Sequence, residues 1–290
     1  MMTNPYPAAM AQSREDRVFT LTNAGGMAVA IHERSAALRS WRAPDRYGRL
    51  ADVLLPVPDV PQPSGDGAPG WTGCHAGGGV SLLRMAPGGA HLQVNYRLDD
   101  DGSLVINHNA MATLPATLEV KPQPCFNLNG GTADVGDHML QIDADYYVEV
   151  DAGGQPVGVA TVGGTPFDFR QPAAIGPRQG WPDTQIRLVG GFDHCYFVRG
   201  HMAGGQGALR EVARVVDPGS GRRLQVYTTE AALQLCTGKL PVGARGWGFW
   251  LEANARPELI SAAWPRVVLH PGQVYRQTTV YRLSLQNQSA

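Results

Sequence analysis

The residue types that most often carry chemistry are few in this sequence, and they are scattered along it. The four cysteines include no CxxC pair, which argues against a zinc knuckle or a thioredoxin-type redox site. No HExxH, GxSxG or EF-hand motif is present, so the sequence predicts no metal site. His138 and His194 each follow an aspartate, but adjacent residues on a strand point to opposite faces. These Asp-His pairs are therefore not catalytic dyads by themselves.

Composition and charge narrow the class of partner. Lys and Arg number 24 and Asp and Glu 25, the two signs are mixed along the chain, and the net charge is −1. Nothing marks a nucleic-acid or membrane surface, and no apolar run approaches the roughly 18 residues of a membrane-spanning helix. The expected partner is a small molecule. Because the cysteines form no disulfide framework and no apolar leader is visible, we expect a reducing, cytoplasmic setting.

The elements that must position a site are predicted to be strands. Residues 91–98 alternate with period two, an acidic turn ends at Gly102, and residues 103–107 carry apolar side chains in alternation, which is typical of a hairpin. No apolar stripe of helical period exceeds two turns, which argues against a Rossmann fold or a TIM barrel. We therefore predict an all-β fold of antiparallel strands. Further strands are predicted at residues 19–23, 28–32, 52–55, 145–150, 195–199, 209–216, 223–228, 246–252, 266–269 and 274–285.

One shift in composition bears on the domain organisation. Residues 56–79 are rich in proline and glycine, which predicts a long surface loop or an active-site rim. A domain boundary there would leave about 55 residues upstream, which is small for an independent domain. We therefore predict a flexible tail over residues 1–16 and a single domain over residues 17–290.

Several short motifs follow one another in the order of a known family. They are residues 136–147 (GDHMLQIDADYY), 164–170 (GTPFDFR), 191–194 (GFDH), 220–222 (SGR), 226–230 (VYTTE), 237–238 (TG) and 249–252 (FWLE). Taken together, this ordered set resembles the galactose mutarotase (aldose 1-epimerase) family, over roughly residues 17–285. The resemblance implies a β-supersandwich of antiparallel strands, a sugar substrate, and no metal or organic cofactor.

The family interconverts the α and β anomers of aldoses, and the resemblance assigns candidate roles to residues here. The chemistry needs a base at the anomeric hydroxyl and an acid at the ring oxygen, and each proton transfer is worth about 10²–10⁴-fold. The family's base is the Glu of a Leu-Glu-Thr-Gln motif, which is matched by Glu252. Asp193 matches an aspartate that contacts sugar hydroxyls. Asn127 and Trp250, which lie in matched motifs, are further candidate substrate contacts.

The departures from the family pattern concern the acid. Where the family has a histidine before Phe-Asn-Leu, this chain has Gln123, whose amide can donate a hydrogen bond but cannot transfer a proton near neutral pH. His75 is the nearest remnant of a second family histidine, so the expected acid is His75 or water. Cys125 and Cys236 stand where the family has tyrosines, which predicts a wider and less polar pocket. Cys195 also occupies a motif position. The three cysteines are either space-filling residues or a redox or nucleophilic trio.

Three functional hypotheses remain open at this point. The first is an aldose 1-epimerase in which Glu252 is the base, and Gln123 and Asp193 orient the sugar. The second is a member of the same family recruited to isomerisation, cyclisation or elimination on a non-sugar or modified-sugar metabolite. The third is carbohydrate binding without catalysis, through tryptophans that stack on sugar faces.

Overall fold

Strands make up almost all of the regular structure in the computed structural model, which describes residues 17–56, 70–86, 89–118, 124–200, 207–237, 247–254 and 267–286. The predicted tail and Gln123 lie outside these residues. In chain order the elements are β1 Val18–Thr22, β2 Ala28–His32, β3 Leu38–Pro44, β4 Leu50–Asp52, β5 Thr72–Ala76, β6 Gly79–Ala86, β7 Ala90–Leu98, β8 Ser103–Met111, β9 Ala116–Leu118, β10 Met139–Ile142, β11 Ala144–Val150, β12 Pro156–Thr161, β13 Ala173–Ala174, α1 Ile175–Gln179, α2 Thr184–Val189, β14 Asp193–Val198, β15 Arg210–Val216, β16 Arg222–Thr228, β17 Ala232–Cys236, β18 Trp250–Asn254, β19 Val267–Leu269 and β20 Val274–Leu285.

The strands form antiparallel sheets, as predicted. The largest has nine strands in the order β13-β10-β15-β16-β20-β8-β7-β6-β5, and a five-stranded sheet has the order β12-β11-β14-β17-β18. A four-stranded sheet runs β1-β2-β3-β4, and β9 pairs with β19. No helix in the described part of the chain is long and apolar enough to cross a membrane.

The predicted hairpin at residues 91–107 is confirmed as β7 and β8. Their register pairs Leu98 with Leu104, and the Gly102 N–H closes the turn on the carbonyl of Asp99. Gly102 has a φ of +82°, a conformation that side chains with a Cβ rarely adopt. Alternate residues of both strands are buried, so each strand presents one apolar face to the core.

The proline- and glycine-rich stretch is only partly the loop that was predicted. Its end contains β5, an edge strand of the nine-stranded sheet, while residues 57–69 lie outside the described residues. Gly73 of β5 packs so closely on Phe19 and Leu82 that an added Cβ would lie 2.6 Å and 2.9 Å from their side-chain carbons. The glycine that suggested a loop is therefore a close-packing position within a strand.

A buried arginine joins the N-terminal sheet to the rest of the fold. The guanidinium of Arg222, at the start of β16, donates to the carbonyls of Ala43, Pro44 and Arg49 in the first segment and of Leu128 in another. Arg222 is almost completely buried, and these bonds satisfy donors that would otherwise be costly to desolvate. In the described structure the arginine of the SGR motif therefore links the N-terminal sheet to the segment around Leu128.

Candidate active site

Three of the predicted site residues lie together on one face of the five-stranded sheet. The register of β14, β17 and β18 places Cys195, Gln234 and Glu252 in one row across the strands. The next row on the same face contains Asp193, Cys236 and Trp250, because residues two apart on a strand share a face. Glu252 and Trp250 thus lie two residues apart on β18, and Asp193 lies on the same face two strands away, on the far side of β17.

Gln234 connects the two predicted carboxylates, and sequence reasoning missed it. Its side-chain Nε2 donates to Asp193 Oδ1 at 2.8 Å, and its backbone is paired with Glu252 on the neighbouring strand. Its Oε1 is buried and has no hydrogen-bond partner among the described residues. The available signal was a polar residue between Leu233 and Leu235 in a strand that is otherwise apolar.

The strand that carries Glu252 is held from the side by β20. The Tyr281 hydroxyl donates to the carbonyl of Leu251 at 2.8 Å, and Gln277 Nε2 donates to that of Ala253 at 3.0 Å. These two carbonyls flank Glu252 and point away from β17, where the sheet offers them no backbone donor. Side chains of the large sheet therefore satisfy the edge of β18 and fix the backbone on both sides of Glu252.

Glu252 is 9% exposed, and its charge acts on buried neighbours. Burial raises the pKa of Tyr281 and of Cys195, and the negative charge of Glu252 adds to both rises. The same charge contributes to the raised pKa of Tyr275 on β20, after burial and the charge of Glu230. The carboxylate therefore lies in a region of low water content, where a charge is felt strongly.

A second buried carboxylate lies close by. Glu230, also 9% exposed, accepts a hydrogen bond of 3.0 Å from the Tyr275 hydroxyl, and burial raises its pKa. The Tyr275 hydroxyl lies 3.1 Å from Gln277 Oε1 as well, so Glu230, Tyr275 and Gln277 form one polar layer beneath the backbone of Ala253. Glu230 ends the matched VYTTE motif, but sequence reasoning assigned it no role.

The cysteines form part of an apolar strip beside Glu252. Phe126 and Phe249 form an antiparallel bridge, which places Cys125 opposite Trp250, and Trp250 in turn lies opposite Cys236. Cys125 and Cys236 are 1% and 2% exposed and pack with Leu55 and Trp250. Trp250 and Leu55 cover both thiols, so the thiols do not open the pocket in the way the sequence suggested.

The same geometry argues against redox or nucleophilic chemistry at these cysteines. Cys125 and Cys236 are separated by β18, so their Cα atoms are two interstrand spacings, about 10 Å, apart. A disulfide needs Cα atoms within about 7 Å. Burial raises the pKa of the Cys125 thiol to about 12, opposed by the indole of Trp250, so the reactive thiolate is scarce near neutral pH.

Two other predicted site residues, His75 and Asn127, are not grouped with Glu252. His75 is exposed on β5, with its ring 5.3 Å from that of Phe19, and β5 is four strands from β20, roughly 19 Å along the sheet. Asn127 is fully buried, and its Nδ2 donates to the carbonyls of Ala133 and Trp247, so it supports the loop before the site. Gln123 lies outside the described residues, two positions before Cys125.

The histidines of the Asp-His pairs support neighbouring segments. His194 points to the face opposite Asp193, and its ring lies against Phe167 and within 3.2 Å of Gln185 Oε1. His138 Nε2 accepts from the N–H of Leu128. Asp193 and His194 point to opposite faces of β14, as the alternation predicted, whereas Asp137 and His138 precede β10, where the alternation does not apply. Among the described residues no three His, Cys, Asp or Glu side chains are grouped to hold a metal ion.

Comparison with known proteins identifies the family. The sequence profile of the aldose 1-epimerase family matches residues 84–282. Galactose mutarotase from Bos taurus is 33% identical over 235 residues, which cover 74% of this chain and 66% of that protein. Aldose 1-epimerase from Escherichia coli is 36% identical over 209 residues, covering 68% of this chain and 59% of that protein. Both matches span less than two thirds of the relative's own length.

Solved structures show the same fold. An aldose epimerase homologue from C. elegans superposes with a TM-score of 0.76 at 20% identity, covering 94% of this chain and 100% of that one. Galactose 1-epimerase from Lactobacillus acidophilus gives a TM-score of 0.72 at 21% identity, with 93% and 95% covered. The fold is therefore the predicted galactose mutarotase-like β-supersandwich. By the extent of the profile match and the identity to its relatives, the chain belongs to the aldose 1-epimerase family.

Proposed function

We propose that this protein interconverts the α and β anomers of an aldose, with Glu252 as the base. The observation that carries the proposal is the row in which Glu252, largely buried, lies across from Gln234 and one row from Asp193. A carboxylate with water largely excluded and polar groups on one side suits proton transfer to and from a bound hydroxyl. The family relationship supports the same reaction class.

The proposed reaction opens and recloses the hemiacetal. Glu252 takes the proton of the anomeric hydroxyl, the electron pair of the O1–H bond forms the second bond of the C1=O1 carbonyl, and the C1–O5 pair leaves with O5, which gains a proton. After rotation about C1–C2, O5 attacks the other face of the carbonyl and loses its proton, and Glu252 returns its own to O1. Every proton removed is restored, so neither an oxidant nor a cofactor is consumed.

Gln234 and Asp193 are proposed to hold the sugar and to support the base. Nε2 of Gln234 donates to Asp193, and its Oε1, which is buried without a hydrogen-bond partner among the described residues, is proposed to face Glu252 on the neighbouring strand. An amide oxygen accepts hydrogen bonds but cannot donate them, so it stabilises Glu252 when the carboxyl holds the substrate proton. Asp193 is proposed to contact a sugar hydroxyl, as its match to the family's motif implies.

The acid at the ring oxygen is proposed to be water. Gln123, at the family's acid position, would donate a hydrogen bond that orients the ring oxygen without transferring a proton. His75, the other candidate, lies about four strand spacings from β20 and is the weaker choice. Trp250, two residues before Glu252 on the same face, is proposed to stack on the sugar.

Anomer-exchange NMR on galactose, glucose and arabinose tests this function. We expect acceleration by the native protein and a loss of about 10²–10⁴-fold in Glu252→Gln, because the amide cannot accept the proton. Glu230→Gln is the matched control, since Glu230 is equally buried and its Tyr275 bond can be kept by an amide oxygen. We expect the control to retain the rate within about threefold.

Three results would contradict the proposal in different ways. An equal loss in both variants would mean that general destabilisation, and not the base, explains the effect. No acceleration of any aldose by the native protein would favour the recruited reaction on a non-sugar or modified-sugar metabolite. Sugar binding that leaves exchange at the uncatalysed rate would indicate carbohydrate binding alone.

A further inference from the structure

The apolar strip formed by Cys125, Trp250, Cys236 and Leu55 lies directly beside the proposed base. Trp250 shares a strand face with Glu252 and is two residues away, about 7 Å along β18. On its two sides the indole has Cys125 and Cys236, which it covers together with Leu55. Trp250 and Leu55 are half-buried, so they are the members of the strip that remain accessible.

The one strong donor of the strip, the indole N–H of Trp250, is itself buried and has no hydrogen-bond partner among the described residues, so the surface of the strip offers a ligand no strong hydrogen-bonding group. Its thiols are buried and weak donors, and the raised pKa of Cys125 keeps that thiol uncharged. The polar side chains described on this face are at its other positions, namely Asp193, Gln234 and Glu252. The apolar strip is therefore bordered by polar groups, with Glu252 two residues further along β18 and Asp193 beyond Cys236 in the same row.

The strip is packed too tightly to rearrange around a polar group. A Cβ added to Gly248 would lie 2.5 Å from Cys125 Sγ and 2.9 Å from Leu55 Cδ1, which is closer than real Cβ atoms approach. Cys125 thus lies directly over a glycine backbone, and a larger or reoriented side chain at this position would force the backbone apart. The apolar character of this wall is a fixed property of the site.

We propose that the strip makes the site selective for deoxyaldoses, sugars in which one ring or exocyclic carbon lacks its hydroxyl and presents a methyl or methylene group to Trp250. The proposal rests on the anomerase function proposed above and names its substrate class. A fully hydroxylated aldose would bury a hydroxyl against the strip without a partner, which is unfavourable. A methyl or methylene group in the same place would instead bury apolar surface.

The expected preference is moderate. Apolar pockets discriminate between groups that differ by a hydroxyl or a methylene by roughly 10- to 100-fold in kcat/KM. The polar contacts of Glu252, Gln234 and Asp193 are common to both sugars, so they do not alter the ratio between a deoxy sugar and its parent.

Paired sugars in the anomer-exchange NMR assay test the proposal. The pairs are galactose with 6-deoxygalactose, glucose with 6-deoxyglucose, and glucose with 2-deoxyglucose. We expect at least one deoxy sugar to exceed its parent in kcat/KM by about tenfold or more. Rates for every parent that equal or exceed those of its deoxy sugar would overturn the selectivity and leave the anomerase function intact. No acceleration of any sugar would overturn both.

A pair of Trp→Tyr variants identifies the strip as the cause. Trp250→Tyr keeps an aromatic ring but adds a hydroxyl that can serve a sugar hydroxyl, so the preference for the deoxy sugar should fall by about fivefold or more. Trp181→Tyr is the matched control, because Trp181 is exposed between α1 and α2. We expect it to preserve the ratio. A preference unchanged in Trp250→Tyr, or lost equally in Trp181→Tyr, would refute the assignment to the strip.

Discussion

Replacing His108 with leucine measures how strongly one buried histidine makes the stability of this fold depend on pH. His108 lies on the inner face of β8, opposite Gln277 on β20 and Val94 on β7. It is buried, and neither ring nitrogen has a hydrogen-bond partner among the described residues. Burial lowers its pKa from 6.5 to about 4, since the charged ring would have to be desolvated.

The size of the effect follows from linkage between protonation and folding. In the unfolded chain His108 has a pKa of 6.5 and becomes protonated as the pH falls below this value, whereas in the native state it becomes protonated only near pH 4. Protonation of His108 therefore does not reduce the free energy of unfolding above about pH 6.5, and it reduces this free energy increasingly as the pH falls from about 6.5 to about 4. Between about pH 7.5 and 5.0 this one residue should cost about 2 kcal/mol.

Urea unfolding of the native protein and of His108→Leu, measured at several pH values, isolates this contribution. Leucine has a similar volume and removes no hydrogen bond that the described residues make, so near pH 7.5 we expect the variant to be as stable as the native protein or more so. Towards pH 5.0 it should gain about 2 kcal/mol relative to the native protein. Val94→Ala, in the same row, should give a constant offset at every pH. A stability difference for His108→Leu that does not change with pH would refute the reasoning.

Three further predictions concern packing and hydrogen bonds near the site. Tyr281→Phe should cost about 1–3 kcal/mol in urea unfolding and lower the rate of anomer exchange, because the carbonyl of Leu251 loses its donor; a cost below about 0.5 kcal/mol would contradict this. Arg222→Met should lower the free energy of unfolding by about 3 kcal/mol or more, since buried carbonyls lose charged donors. An unfolding midpoint like that of the native protein would argue that Arg222 does not hold the N-terminal sheet to the rest of the fold. Gly248→Ala should lower the free energy of unfolding by about 1–3 kcal/mol, because its Cβ would crowd Cys125 Sγ. Adding Cys125→Ala in a double-mutant cycle should restore part of this loss. If the two effects were simply additive, the approach of the added Cβ to Cys125 Sγ would not be the cause.

Much of the local structure was readable from the sequence because it depends on period and on turn chemistry. The alternation in residues 28–32 and 274–285 coincides with the bounds of β2 and β20, and the turn at Gly102 joins β7 to β8. The helices α1 and α2 were missed because five and six residues are too few to show a helical period. Asp183, whose side chain caps α2, was the local signal available.

The residues of the candidate site could be predicted only where they occupy a recognisable position in a sequence motif. Glu252 and Asp193 could be selected from short motifs, and both lie on one face of the five-stranded sheet. Gln234 could not, because its importance comes from lying between them. His75 illustrates the converse, since a local match to a motif carries no information about which edge of a sheet a strand will occupy.

The sequence by itself determined that the chain forms antiparallel strands, which residues of a strand share a face, and which carboxylates are candidates for proton transfer. Only the tertiary structure decided which strands are neighbours. The bridge of Phe126 to Phe249 and the contact of Tyr281 with Leu251 join segments distant in the chain, and they set Trp250 between two thiols and fix the backbone around Glu252. The physical reason is that a period of two specifies the face of a strand but not its partner, which is chosen by burial and hydrogen bonding across the whole fold.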